Sequence, residues 1–223
     1  PFLFGAKKDT SLVFETFYKI HDARYMMYWM LVTDQRTLDS LSAAQAAALL
    51  LEGRTIDRIT PGQQQPEVDH KMVQTNTVAS VNQGESVREG GACSGGTGAS
   101  VSYKLSTNDE ADLSLWVRYW GNETSCTRTF DILVDGQKVA TESLVNKWKK
   151  PEFVNVEYPL SNNLVSGKKT VTVKFQAASG MVCGLYGVRL LRKTGSTGVV
   201  TRSESLDGRP FVKMNLESSI VKL

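Results

Sequence analysis

The stretch Leu113-Ser114-Leu115-Trp116-Val117-Arg118-Tyr119-Trp120 decides how this chain of 223 residues folds. Leu113, Leu115, Val117 and Tyr119 alternate with Ser114, Trp116, Arg118 and Trp120, and successive side chains of a strand point to opposite faces of its sheet. One set therefore faces a core and the other faces away. The same period returns at Phe130, Ile132 and Val134, and at Val154, Val156, Tyr158 and Leu160. It returns again at Val171, Val173, Phe175 and Ala177, where Thr172, Lys174 and Gln176 are the polar partners. Tyr186, Val188 and Leu190 give a last strand of this kind. Asp135-Gly136 follows Val134 directly and predicts a hairpin, because both central turn positions need a positive φ. Strands with one apolar and one polar face build antiparallel sheets rather than a parallel α/β sheet. The fold class is thus mainly β, an antiparallel jelly-roll-like β-sandwich over residues 71–193.

Upstream the pattern changes. Residues 11–33 (SLVFETFYKIHDARYMMYWMLVT) are two apolar runs interrupted by His21-Asp22-Ala23-Arg24. They read as two strands joined by a tight turn, with a helix left open for the second run. Residues 42–52 (SAAQAAALLLE) predict a helix, with Ser42 and Gln45 as a capping box and Gly53 as its stop. The connector RTIDRITPGQQQPEVDH follows, punctuated by Pro61-Gly62 and Pro66. The expected organisation is a tail of a preceding β-sandwich domain (1–36), a helical connector (37–70), the C-terminal sandwich (71–193) and a tail (194–223). That tail opens with TGSTG and has a further edge strand available at Val212, Met214 and Leu216.

Composition narrows the function classes. At 41% hydrophobic and 22% charged residues, the chain is neither collagen-like nor broadly disordered. A net charge of +3 is too small for a nucleic-acid footprint. The apolar runs at 25–32 and 43–51 fall far short of the roughly 18 residues that span a bilayer. Neither nucleic acid nor membrane is expected as a partner. The first ten residues have no secretory-signal pattern, and the first residue is Pro1, which fits a piece of a longer protein. The compartment is left open.

Chemistry-bearing residues are few. Cys93, Cys126 and Cys183 have no CxxC or CxxH spacing, so no zinc site is indicated, and buried thiols are the plainer reading. A Cys126–Cys183 pairing stays open for an exported parent. His21, Asp22 and Arg24 suit a stabilised turn better than acid–base work, since no nucleophile accompanies them. Asp69 and His70 end the connector and are expected to pin it to the sandwich. Asp109-Glu110 reads as a solvated turn. Gly90–Gly98 lacks the lysine and the following helix of a phosphate loop and reads as a connection between strands. Asn122-Glu123-Thr124 is a formal glycosylation sequon.

Two longer stretches are more distinctive. Tyr18-Lys-Ile-His21-Asp-Ala-Arg24-Tyr-Met-Met-Tyr28-Trp29 and Thr55-Ile-Asp57-Arg-Ile-Thr-Pro61-Gly62-Gln-Gln-Gln-Pro66-Glu67-Val-Asp69-His70 occur in this order. Together they resemble the C-terminal part of glycoside hydrolase family 127, the β-L-arabinofuranosidase-type enzymes. Tyr119-Trp-Gly121, Phe130-Asp-Ile-Leu-Val-Asp-Gly136, Lys169-Thr-Val-Thr-Val-Lys-Phe175 and Tyr186-Gly-Val-Arg-Leu-Leu-Arg192 are similar to the terminal sandwich of those proteins. The resemblance implies a hydrolase parent whose catalytic barrel, with a zinc-bound cysteine cluster and a glutamate, lies upstream of this chain. No catalytic residue, cofactor site or metal site is then expected here.

The outward row of the opening strand is the main functional clue. Trp116, Arg118 and Trp120 on one exposed face call either for cover or for a sugar ligand stacked on the aromatic rings. Cover would come from residues 1–60, from the catalytic domain or from a second copy in a homodimer. Trp148, in the loop NKWKKP, is a separate sugar-contact candidate. The primary expectation is a non-catalytic accessory sandwich of a family 127-like hydrolase acting on arabinose-containing glycans, with a packing role and a periplasmic or secreted parent. The alternative is a carbohydrate-binding module that uses Trp148, Trp120, Trp116 and Arg118. A third reading, a catalytically active fragment, lacks any convergent acid, base or nucleophile.

Overall fold

The computed structural model describes residues 11–14, 19–21, 24–25, 29–32, 34–91, 98–124, 126, 128–177 and 180–193. The chain divides into two compact units, Pro1–Gly53 with Val199–Leu223, and Arg54–Gly198. In the first, β1 (Ser11–Phe14) pairs antiparallel with β4 (Trp29–Val32), and β2 (Lys19–His21) pairs with β3 (Arg24–Tyr25). Each arm about His21-Asp22-Ala23-Arg24 thus contributes two short strands, and the second run is extended rather than helical at Trp29–Val32.

Helix α1 spans Gln35–Arg54. It begins well before the capping box read at Ser42, because Asp34 Oδ1 accepts the Thr37 backbone N–H at 2.8 Å and nothing between Gln35 and Leu41 breaks a helix. Gly53 lies inside the last turn instead of beyond it. Among the described residues no helix is long and apolar enough to cross a membrane.

The second unit is an antiparallel β-sandwich. Its elements are β5 (Thr55–Ile59), α2 (Gln64–Asp69), β6 (Val73–Thr75), β7 (Thr77–Asn82), β8 (Glu85–Gly90), β9 (Ser100–Ser106) and β10 (Leu113–Trp120). Then come β11 (Thr129–Val134), β12 (Gln137–Ser143), β13 (Phe153–Pro159), α3 (Asn162–Val165), β14 (Thr170–Ala177), β15 (Val182–Leu185) and β16 (Gly187–Arg192). One sheet runs β13-β10-β16-β5, the facing sheet β12-β11-β14-β9-β6, and a third β15-β8-β7. The alternation read from sequence holds: Leu113, Leu115, Val117 and Tyr119 are fully buried beside Phe130, Ile132, Val134, Val171, Val173 and Phe175. Burial of each such side chain contributes about 1.5–3 kcal/mol. The β11–β12 hairpin turns at Asp135 (φ 47°) and Gly136 (φ 79°).

The connector needs correcting. Thr55–Ile59 is not a linker but a strand of the first sheet, registered through Ile59 against Val188 of β16. Too short to show a period, it joins the sandwich because Ile56 and Ile59 pack into the core. Helix α2 is fixed equally firmly. Its Glu67, 3% exposed, accepts from Arg88 Nε at 2.5 Å and Arg88 Nη2 at 2.6 Å, and from Gly62 N–H and Tyr103 O–H. The sandwich unit therefore begins at Arg54, not at residue 71. Val212, Met214 and Leu216 lie outside the described residues.

Candidate functional site

The polar row of β10 crosses the outer face of the sheet β13-β10-β16-β5. Register sets Trp120 opposite Phe153 of β13, Arg118 between Asn155 and Gly187, and Trp116 between Glu157 and Arg189. Directly opposed residues share a face, so Phe153 and Asn155 join the row although the sequence reading did not single them out.

At the Trp120 end the side chains form one half-exposed patch. Phe153 meets Trp120 edge-on, with ring centroids 5.2 Å apart, and beneath them meets the buried Tyr186 likewise at 5.0 Å. The Arg118 guanidinium lies over the Phe153 ring at 4.2 Å, and its Nη2 donates to Glu85 Oε1 at 2.8 Å. Arg118 and Glu85 keep 33% and 39% of their side-chain surface exposed. Arg118 Nε is the one buried side-chain nitrogen or oxygen among the described residues that has no hydrogen-bond partner. An unpartnered donor of this kind costs about 1–3 kcal/mol, set against the Glu85 bond and the Phe153 contact made by the same guanidinium.

At the other end the row closes. Trp116 is only 7% exposed and lies across the sheet over Gly187, where a Cβ would come within 3.2 Å of its ring. Arg189 stacks on it at 5.5 Å. Beside it Glu157 accepts from Arg54 Nη2 and from the Ser114 hydroxyl. Burial pushes the Glu157 carboxyl up, but these two partners outweigh it and hold the group below its ordinary range. Trp116 is therefore packed by its own chain, contrary to its reading as a sugar contact.

Trp148 is not a free platform either. It is half-buried and stacks on Tyr119 at 6.1 Å and 23°, while Lys147 Nζ sits 4.9 Å from its ring centroid. Lys147 also donates to Glu142, which accepts from Tyr158, whose hydroxyl meets that of Tyr119. This chain of hydrogen bonds runs from the exposed Lys147 to the buried Glu142, Tyr158 and Tyr119 and braces the 144–152 loop. Burial raises the pKa of both Tyr119 and Tyr158.

The remaining expectations separate. His70 does join elements: Nε2 lies 3.0 Å from Asp57 Oδ1, Nδ1 2.6 Å from the Pro66 carbonyl, and its own carbonyl accepts from Lys104. Asp69 instead accepts from Gln65 on the exposed side of its own helix. His21 of β2 pairs in register with Arg24 of β3, and Asp22 lies outside the described residues. Glu110 is not simply solvated, since Arg192 clamps it at 2.5 and 2.7 Å. Cys126 is disulfide-bonded and Cys183 is a buried free thiol, so the two are not paired with each other. Burial raises the Cys183 pKa far above normal, which leaves the thiol inert. Glu123 and Arg128 are buried together at 3.0 Å, and burial, reinforced by Glu89, pushes the Glu123 carboxyl up. No group of three or more His, Cys, Asp or Glu side chains able to hold a metal occurs among the described residues.

A sequence family described only as a family of unknown function, DUF6805, matches residues 50–191. The chain belongs to DUF6805. The matched span runs from the end of α1 through most of β16, so the family is defined on the sandwich unit. No curated protein matches the chain. Among solved structures, this DUF6805 chain is similar to a family 35 carbohydrate-binding module from Clostridium thermocellum at 15% identity and a TM-score of 0.38, covering 53% of this chain and 90% of that one. It is also similar to the C-terminal family 6 carbohydrate-binding module of a marine laminarinase from Zobellia galactanivorans at 11% identity and a TM-score of 0.43, covering 60% and 97%. An exo-β-1,3-galactanase from Phanerochaete chrysosporium matches at 12% identity and a TM-score of 0.42, covering 60% and 28%.

Proposed function

We propose that this DUF6805 chain is a non-catalytic accessory β-sandwich that binds carbohydrate on the outer face of β10, through Trp120, Phe153, Arg118 and Glu85. The observation that carries the reading is the half-exposed aromatic patch with a stacked, incompletely bonded arginine at its centre. Aromatic rings offer the apolar face of a sugar a surface, and a neighbouring ion pair supplies oriented donors and acceptors for its hydroxyls. The motifs that resemble glycoside hydrolase family 127 support a parent hydrolase acting on arabinose-containing glycans, with this module attached to its catalytic domain. The disulfide at Cys126 suits a secreted or periplasmic parent.

Arabinose, galactose and arabinan fragments titrated against the chain should change its tryptophan fluorescence, and Trp120→Ala should abolish that change. Flat curves at millimolar ligand would refute the reading. A packing role against the catalytic domain or a second copy is the second reading. It draws on the exposed Val78 and Val81 of edge strand β7, and light scattering of the isolated chain tests the homodimer version.

A further inference from the structure

The ion pair within the patch bears on which glycans fit it. Arg118 is the cation at the centre of the aromatic cluster, and an arginine beside aromatic rings would ordinarily suit an acidic sugar, whose carboxylate it can hold in a bidentate grip. Here part of that grip is already taken. Glu85 Oε1 takes Nη2 at 2.8 Å, and the side chain of Glu85 is itself 39% exposed at the rim of the patch. Stacking on Phe153 at 4.2 Å fixes the plane of the guanidinium, so it cannot turn away from Glu85 without losing that contact. Nε is buried, leaving only the terminal nitrogens to meet a ligand.

We infer that the patch is selective for neutral sugars and excludes uronate or sulfated glycans, with Glu85 as the residue that determines this; the inference rests on the carbohydrate-binding reading above. The physical reason is that a sugar hydroxyl both donates and accepts. One hydroxyl can give its proton to Glu85 while a neighbouring hydroxyl accepts from Arg118. A carboxylate or sulfate only accepts, and placed against Arg118 it would sit beside the Glu85 carboxylate, where like charges repel in a partly desolvated site. The Arg118–Glu85 pair carries no net charge of its own, which complements a neutral partner and not an anionic one. Asn155, exposed and opposite Arg118 in the register, adds an uncharged donor and acceptor on the same face.

The test compares linear arabinan and galactan with polygalacturonate and a sulfated galactan, by affinity electrophoresis and calorimetry, on the whole chain and on Glu85→Gln and Trp120→Ala. The neutral polymers should bind the wild type at least tenfold more tightly than the anionic ones. Glu85→Gln should narrow that gap by tightening polygalacturonate binding, while a melting curve like that of the wild type shows the fold intact. Polygalacturonate binding the wild type as well as arabinan does, or a Glu85→Gln variant with unchanged preference, overturns the role of Glu85. Binding that survives Trp120→Ala, or no binding of any polymer, overturns the patch as the glycan site, and this inference with it.

Discussion

Glu67 and Arg88 offer the sharpest test of how the sandwich is held together. Their side chains are 3% and 8% exposed, and two charged hydrogen bonds of 2.5 and 2.6 Å join them. Glu67 also takes the Gly62 N–H at 2.9 Å and the Tyr103 hydroxyl at 3.1 Å, so one carboxylate ties α2, the turn before it, β8 and β9 together. Glu67→Leu leaves the guanidinium in a dry interior without its counter-charge. Breaking a buried pair from one side costs about 3–5 kcal/mol, whereas replacing both partners by apolar residues is often close to neutral. Urea unfolding of the wild type, Glu67→Leu, Arg88→Met and the Glu67→Leu/Arg88→Met double variant should therefore show two severe single losses and a double variant more stable than either. The dependence on urea should keep its slope, since the surface exposed on unfolding is unchanged. Single losses below about 1 kcal/mol, or a double variant that simply adds them, would refute the claim that this pair is desolvated and coupled. Because Arg88 lies on the same short strand as Glu85, the single variants should also weaken glycan binding.

Two further outcomes are expected. Burial pushes the Glu67 carboxyl up, but Arg88 and the Gly62 N–H outweigh it and hold the group below its ordinary value of 4.5. The stability Glu67 contributes is thus complete above that value and lost as pH falls through the lower folded-state one, and acid titration should show a shallower loss in Glu67→Gln. Glu123, raised by burial, acts with the opposite sign and in a different window, adding stability as pH falls through its raised folded-state value, above the range in which the Glu67 contribution is lost. Leu115→Ala, at a fully buried position between the sheets, should cost about 2–5 kcal/mol by urea unfolding while leaving the outer-face patch able to bind.

Much of the sandwich was legible because its strands obey a period of two. Leu113–Trp120 and Thr170–Ala177 each keep one face in a single core, so the alternation survives in the sequence. Where that condition fails, so does the reading. The strand Val182–Leu185 is buried at every position and shows no alternation, and Thr77–Asn82 is exposed at nearly every position and shows none either. Thr55–Ile59 was hidden among turn residues. The composition of residues 42–52 marks helix α1 but not its start at Gln35, since a capping box inside a longer helix looks the same as one at its beginning.

The candidate site divides along the same line. The sequence alone determined that Trp116, Arg118 and Trp120 share the face turned away from the core, because that follows from the geometry of a single strand. Only the tertiary structure decided which of them a ligand can reach. Trp116 is closed off by Gly187 and Arg189, which lie some seventy residues away in the chain and are brought beside it by the register of β10 with β16. Trp148 is drawn down onto Tyr119, and Trp120 is left beside Phe153. Glu85 reaches Arg118 from a strand of another sheet. Alternation is a local property of the backbone, whereas exposure and pairing depend on which distant strands become neighbours, and no single stretch of sequence carries that information.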